Sequence, residues 1–188
     1  MATDPRTPRP ISQEWLMRAA AHYLERYATS TDNLRRVLRR KLRRRALASG
    51  EATDGHEPLV EAVVARFSEL GLLDDRRYAE AQLSSLRRKG ASRMAAAARL
   101  SGKGVPREVV ETALAGDETA ETAAAAAYVR RRRFGRFRTP GRGGRPDDDR
   151  RRREIAAMVR AGFPMALAIT AIDAGGDGDD PDEPAGES

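Results

Sequence analysis

The sequence predicts an all-α fold of tandem three-helix repeats, with three units and about nine helices in an elongated, curved array. Apolar residues recur every three or four positions in short segments, and no segment alternates apolar and polar residues as a strand does. The sequence also repeats at an offset of 58 residues, where Gly104-Val105-Pro106 matches Gly162-Phe163-Pro164. Each unit is too small to bury much core alone, so stacking is expected to give a long concave surface. A single compact bundle is the alternative.

Turn and cap residues set the boundaries of the units. Proline and glycine lie between the apolar-periodic segments, where a helix starts or stops. The expected organisation is a disordered tail over 1–11, three-helix units over 12–73, 74–116 and 117–173, an arginine- and glycine-rich loop over 134–146 within the third unit, and a disordered acidic tail over 174–188.

Three helices are expected in the first unit. Ser12 can accept hydrogen bonds from the free amides that open the first helix, and Ser30 can do the same for the second. Leucine recurs every four residues in the second helix, whose other faces are almost entirely arginine. Pro58 suits the first turn of the third helix, and Gly71 can supply the left-handed turn that ends it.

The second unit continues with the same signals. Asp74 can cap its first helix, which closes with Arg87, Arg88, Lys89 and Gly90. Cations in a last turn complement the negative end of the helix dipole, and that role explains the basic residues here. The other two helices are expected to begin at Ser92 and Pro106.

The third unit begins with an alanine-rich helix expected from Asp117 to about Arg133. Asp147 or Asp148 can then cap a helix that Gly162 ends, and Pro164 starts the last short helix.

Composition excludes several classes of protein. The chain has no cysteine, and its two histidines stand alone, so disulfides and cysteine-ligated zinc are excluded. The longest apolar run, Ala123 to Val129, is far shorter than the roughly 20 residues that span a bilayer. The first ten residues lack the apolar segment of a signal peptide. We therefore expect a cytoplasmic protein without a membrane segment.

Charge is distributed unevenly along the chain. The net charge is +7, but the segment from Asp173 to Ser188 holds seven acidic residues and no basic one, so residues 1–172 carry +14. Such a body attracts polyanions, nucleic acid above all. A coding bias toward arginine is the alternative, but it does not explain why the arginines cluster.

A sequence signature lies at the junction of the first two units. Residues 70–79 read Leu-Gly-Leu-Leu-Asp-Asp-Arg-Arg-Tyr-Ala, and residues 86–90 read Leu-Arg-Arg-Lys-Gly. This stretch resembles the hallmark of the RecX family, and the resemblance extends more weakly over residues 14–172. Its residues have structural roles in helix termination, capping and packing rather than in catalysis. They are Gly71, Leu73, Asp74, Asp75, Tyr78, Ala79, Lys89 and Gly90.

The resemblance implies a partner and an action. The partner is the RecA filament on single-stranded DNA, and the action lowers its ATPase and strand-exchange activities in DNA recombination, repair and the SOS response. The resemblance implies a non-enzymatic regulator with no cofactor, and we expect a monomer. The alternative is a nonspecific nucleic-acid-binding protein without a filament partner, which rests on arginine content alone.

Two arginine clusters are the candidate contacts to the filament or to DNA. The first lies on the second helix, where neighbouring cations repel one another unless something negative relieves them. The second is interleaved with Phe134 and Phe137, which either stack on bases or cover the core of the third unit. The candidates are Arg35, Arg36, Arg39, Arg40, Arg43 and Arg44 in the first cluster, and Arg130, Arg131, Arg133, Arg136, Arg138, Arg142, Arg145, Arg151 and Arg152 in the second.

Catalytic and metal-binding motifs are absent from the sequence. The aspartate clusters at 74–75 and 147–149 are better explained by helix capping than by cation binding. Gly102-Lys103-Gly104 lacks the residues of a phosphate loop. No nucleophile, acid–base pair or metal set is visible, so we expect no enzymatic activity.

Deleting the acidic tail, residues 174–188, tests whether it competes with DNA. A tethered anion that folds back on the basic body occupies cations that would otherwise contact phosphate. If it competes, the deletion will tighten binding to single-stranded DNA at low salt and steepen its salt dependence in fluorescence anisotropy, with thermal stability nearly unchanged. Equal affinities and equal salt slopes would leave the tail as a solubilising end.

Overall fold

The computed structural model describes residues 11–50, 55–138 and 147–174. Within these ranges the chain is entirely helical between its turns, which confirms the all-α class. The α-helices are α1 (Gln13–Leu24), α2 (Thr31–Ser49), α3 (Glu57–Glu69), α4 (Asp75–Arg88), α5 (Arg93–Gly102), α6 (Arg107–Ala115), α7 (Glu121–Arg132), α8 (Asp147–Arg160) and α9 (Met165–Asp173), and a 3-10 helix covers Gly135–Phe137.

Side-chain caps begin α1, α2 and α4 as predicted. The amide of Trp15 donates to Ser12 Oγ at 3.3 Å, and that of Asn33 donates to Ser30 Oγ at 3.2 Å. Asp74 accepts from the Arg77 amide at 2.9 Å. These bonds satisfy amides that a helix start leaves without a partner.

The predicted internal repeat is visible in the backbone. After α5 the Val105 amide donates to the Leu100 carbonyl, and after α8 the Phe163 amide donates to the Met158 carbonyl, both at 3.1 Å. Each bond spans five residues and closes a Schellman turn around a glycine of positive φ. The side chains of Val105 and Phe163 are buried, so the repeat preserves both the turn and its hydrophobic contact.

The described residues form two compact units by contact, one within Met1–Gln82 with Arg99–Ala115 and the other within Leu83–Ala98 with Gly116–Ser188. In the first, α1, α2 and α3 pack around one apolar core. Ile11, assigned to the N-terminal tail by the sequence, is buried in this core. The division into three units and the curved shape of the array stay predictions.

In the first unit, α2 starts against the turn between α5 and α6. Ser30 Oγ donates to the Lys103 carbonyl, and Gly104 lies so close to α2 that a Cβ there would meet the side chain of Asp32. Asp75 accepts a 2.7 Å hydrogen bond from the Thr31 amide. The two acidic residues of the signature therefore serve different helices, because Asp74 caps α4 and Asp75 binds the first amide of α2.

In the second unit, α7, α8 and α9 enclose the other described core. Gly90 has φ of 80° and lies against α7, where an added Cβ would approach Tyr128 Cα to 2.8 Å. Ser92 accepts from the Ala95 amide at 3.0 Å and donates to the Ala161 carbonyl at 2.7 Å. One hydroxyl therefore caps α5 and ties its start to the end of α8.

The role predicted for Arg87 is wrong, because its side chain is fully buried rather than displayed at a helix end. Arg87 Nε donates to Asp117 at 2.8 Å, and Nη1 forms an ion pair with Glu121 at 2.8 Å. The carbonyl oxygens of Ala91 and Thr119 accept its remaining hydrogen bonds, at 2.7 and 2.8 Å. Burial is tolerated because nearly every donor of the guanidinium has a partner.

The same cluster explains why α7 begins at Glu121 rather than at Asp117. Asp117 is bound to Arg87 and also accepts from the Thr119 amide at 3.2 Å, which holds residues 117–119 in a turn outside the helix. Burial alone would raise the pKa of Asp117, but hydrogen bonds from Thr119 and Arg87 bring its pKa below the ordinary value.

Replacing Arg87 with methionine should destabilise the protein by about 3–5 kcal/mol, because two carboxylates lose their buried cation. The loss is measured by urea unfolding at neutral pH, with Arg88→Met, an exposed neighbour, as control. The pKa of Asp117 in the folded protein lies below its ordinary value, so this carboxylate stabilises the wild type at pH values above its unfolded pKa. This stabilisation is lost as the pH falls through the folded pKa. The difference in unfolding free energy between wild type and Arg87→Met should therefore become smaller in acid. Equal stability of the two variants at neutral pH would contradict the structural role.

Candidate nucleic-acid interface

The first arginines of α2 are bound to carboxylates of α3. Arg35 Nε donates to both oxygens of Glu61, at 2.8 and 3.0 Å, and Arg39 contacts Glu57 and Glu61. The hydrogen bond to Glu61 raises the pKa of Arg35 above its ordinary value, against the lowering effect of burial. Since these guanidinium groups hold α2 against α3, they serve the fold of the first unit.

Arg36 is also partnered within the first unit. Its Nε lies 3.0 Å from Asp32 Oδ2, one turn earlier on α2, and both terminal nitrogens donate to the Gly102 carbonyl at 3.4 Å. From the sequence, a ligand was expected to relieve the repulsion among the arginines of α2. For Arg35, Arg36 and Arg39, carboxylates of the protein itself already do so. The carboxylates that relieve them were not apparent because two come from α3.

The second half of α2 is different. Arg40, Arg43 and Arg44 are exposed, and in the described part of the chain no carboxylate lies within ion-pair distance of them. Arg45 is partly buried with its guanidinium 5.4 Å from the centroid of the Trp15 ring. The mutual repulsion inferred from the sequence applies to these three exposed arginines, which spacing of three and four residues places close together.

The second cluster begins at the end of α7, where Arg130, Arg131 and Arg133 are exposed. The guanidinium of Arg131 lies 5.9 Å from the Tyr128 ring centroid. Arg132, which the sequence did not single out, lies 6.0 Å from the same ring and 5.7 Å from the Phe134 ring. Arg133 adopts φ of 55° and ends the helix in the left-handed conformation that glycine usually supplies.

Phe134 and Phe137 were open to two interpretations, and their packing agrees with the core alternative. Both are half-buried against the apolar core of the second compact unit, and the Phe134 ring meets Tyr128 edge to face with centroids 6.1 Å apart. Arg136 lies over the Phe137 ring at 4.8 Å. The rings therefore support a layer of guanidinium groups, whose planes can themselves stack on nucleobases.

Two candidates of the second cluster are already engaged. Arg138 forms a two-pronged ion pair with Glu154, with Nε to Oε1 and Nη2 to Oε2 both at 2.9 Å. Arg151 pairs with Asp173 in the same way, at 2.7 and 2.6 Å, and this hydrogen bonding lowers the pKa of Asp173. Arg138 anchors the chain after the 3-10 helix to α8, and Arg151 ties α8 to the end of α9.

Three arginines of the second cluster remain, and only one of them is described. Arg152 is exposed, and no described carboxylate pairs with it. Arg142 and Arg145 lie outside the described residues, as do most of the predicted loop and both predicted tails. Among the candidate arginines that the structure describes, those that are exposed and have no carboxylate partner in the same ranges are Arg40, Arg43 and Arg44 on α2, Arg130, Arg131, Arg133 and Arg136 around the end of α7, and Arg152 on α8.

Over residues 11–50, 55–138 and 147–174, no three histidine, aspartate or glutamate side chains come together as metal ligands would. None of the helices in the same ranges has the length and apolarity needed to cross a bilayer. What the described surface offers is fixed positive charge, partly arranged on aromatic rings. The chemistry available to it is the binding of anions.

These features define an arginine-rich protein that is helical over its described residues and carries cations that the carboxylates of the same residues leave unpaired. Residues 74–114 match the family model described as "RecX, second three-helix domain". The chain is 41% identical over 172 residues to the regulatory protein RecX of Myxococcus xanthus, covering 90% of both proteins, and 34% identical over 166 residues to that of Agrobacterium fabrum, covering 88% and 84%. A crystal structure of RecX from Lactobacillus salivarius has the same fold, with a TM-score of 0.59, 17% identity and coverage of 85% and 94%.

The chain therefore belongs to the RecX family of regulatory proteins, as the signature at residues 70–79 indicated. The likeness to the crystal structure shows the fold alone, whereas the two relatives establish the family across nearly the whole chain.

Reversing charge should separate the two halves of α2. Arg35→Glu with Arg39→Glu places new carboxylates beside Glu57 and Glu61, and we expect a loss of about 1–2 kcal/mol because partly exposed pairs become repulsive. Arg40→Glu with Arg43→Glu removes two unpaired cations, so stability should stay equal or rise slightly. Urea unfolding of the two double variants, which have the same net charge, measures the difference. A larger loss for the second pair would contradict the pairing described here.

Proposed function

We propose that this protein binds RecA nucleoprotein filaments on single-stranded DNA and lowers their ATPase and strand-exchange activities. The observation that carries the proposal is its 41% identity, across 90% of both chains, to a regulatory protein RecX. The exposed arginines without a described carboxylate partner supply the physical means, because the DNA of such a filament presents phosphate charge to a basic protein.

The binding role falls to the free arginines rather than to all those that the sequence singled out. Four of the candidates form ion pairs within the protein, so contact with a ligand would break those pairs. They are Arg35, Arg39, Arg138 and Arg151. Arg40, Arg43, Arg44, Arg130 and Arg133 have no carboxylate partner among the residues that the structure describes, so contact with an anion breaks no described ion pair. Binding through the second set costs less in lost interactions.

We propose that the protein is a regulator without enzymatic activity. Its relatives are named as regulatory proteins, and the fixed cations of the described surface bind charge without providing a nucleophile or an acid–base pair. A partner that assembles on chromosomal DNA implies a cytoplasmic location. We propose that the protein acts as a monomer, directly on the filament.

The test is RecA ATPase activity on single-stranded DNA with this protein at a concentration too low to coat the DNA. A filament regulator should inhibit RecA ATPase activity under these conditions, because one bound molecule acts on a polymer with many active subunits. The protein alone should show no ATPase activity. A nonspecific DNA-binding protein inhibits only as it competes for the lattice, so its inhibition should scale with coverage and vanish with excess DNA. Full RecA activity at an equimolar ratio of this protein to RecA would refute the proposal.

A further inference from the structure

The outer face of α2 carries one residue that a DNA-binding surface does not explain. Residues 36, 40, 43 and 47 are spaced by four, three and four, so they form one row along the helix. The first three are arginines and the last is Leu47, whose side chain is 87% exposed. The other large hydrophobic residues described as exposed range from 38% to 62%.

The apolar face of α2 is complete without Leu47. Leu34, Leu38 and Leu42 are buried in the core with α1 and α3, and Ala46 continues that stripe into the last turn of the helix. Leu47 points away from this stripe, so burial within the first unit does not account for it. A polar residue would serve the fold of the helix as well at this position.

The charges of the row define what can cover it. Arg40 and Arg43 have no carboxylate partner among the described residues, whereas Arg36 at the start of the row is neutralised by Asp32. The exposed end of the row therefore combines free cations with an apolar side chain. Phosphate pairs with the arginines but gains nothing from the leucine. A protein surface with carboxylates around a small apolar pocket matches both, as in recognition of a helix by a groove.

The end of α7 has the opposite character. Its exposed arginines lie beside Tyr128, Phe134 and Phe137. Residues 130–138, all of them described, include no exposed aliphatic side chain of the size of leucine. Guanidinium groups held on aromatic rings suit phosphates and bases of single-stranded nucleic acid.

We propose that the α2 row ending in Leu47 docks on an acidic protein surface with an apolar pocket, while the arginines at the end of α7 contact single-stranded nucleic acid. This rests on the proposed function, because the two ligands occur together in a filament. The α2 row recognises the protein component of that filament, and Leu47 anchors the contact.

Leu47→Ala tests the assignment, with Leu70→Ala, a half-exposed leucine outside the basic row, as matched control. Anisotropy measures the affinity of each full-length variant for two probes, labelled oligo(dT) alone and RecA filaments assembled on the same oligonucleotide. Leu47→Ala should weaken filament binding about tenfold or more, since a buried leucine contact is lost, and leave oligo(dT) binding within about twofold. The control should change neither.

Charge-neutral variants complete the test. Arg40→Gln with Arg43→Gln should weaken filament binding more than oligo(dT) binding, and Arg130→Gln with Arg133→Gln should do the reverse. The assignment would be overturned if Leu47→Ala left filament binding unchanged. It would also be overturned if the α2 variants lost equal affinity for both probes, and that result would identify α2 as a phosphate contact. If the wild type does not bind filaments, the proposed function itself is refuted. A Leu47→Ala variant that binds filaments like the wild type refutes only the assignment of the α2 row.

Discussion

Glu61 of α3 accepts two hydrogen bonds from Arg35 and lies 3.2 Å from the nearest nitrogen of Arg39, so one carboxylate contacts arginines from two successive turns of a strongly basic helix. With Glu57 and Asp32 it allows α2 to pack against α3 and against the turn after α5. A helix of this composition would otherwise repel itself along its whole length. The number and reach of these carboxylates decide where pairing stops, and among the described residues it stops before Arg40. The surface that we propose for binding begins where this structural pairing ends.

The second compact unit depends on carboxylates in the same way, with one cluster in its interior and two ion pairs nearer the surface. Arg87 is buried between Asp117 and Glu121, while Arg138 and Arg151 pair with Glu154 and Asp173 near the surface. Buried pairs of this kind add little net stability over apolar packing, but they penalise arrangements that leave a charge unpaired. The buried cluster therefore favours one arrangement of the end of α4 and the start of α7. Among the described arginines, a carboxylate partner separates those that hold the fold together from those that we propose bind a ligand.

Local features were predictable from the sequence because their causes lie within a few residues. Caps at Ser12, Ser30 and Asp74 require only an oxygen and an amide three residues away, and the repeated turns at Gly104 and Gly162 require only a glycine after an apolar stripe. The burial of Arg87 could not be predicted, because its partners lie 30 and 34 residues further on and resemble ordinary helix-start acids. The same holds for Glu61 and Arg35, which are 26 residues apart. Basic clusters were visible in the sequence, but their division into paired and free arginines depends on tertiary contacts.

Electron cryomicroscopy of RecA filaments bound to this protein would show directly which of its arginines contact the filament. We predict that the exposed half of α2 and the end of α7 face the filament, and that the pairs Arg35–Glu61 and Arg138–Glu154 stay intact on binding. A complex in which those pairs are broken so that their arginines contact the filament, while Arg40, Arg43 and Arg130 point into solvent, would contradict it.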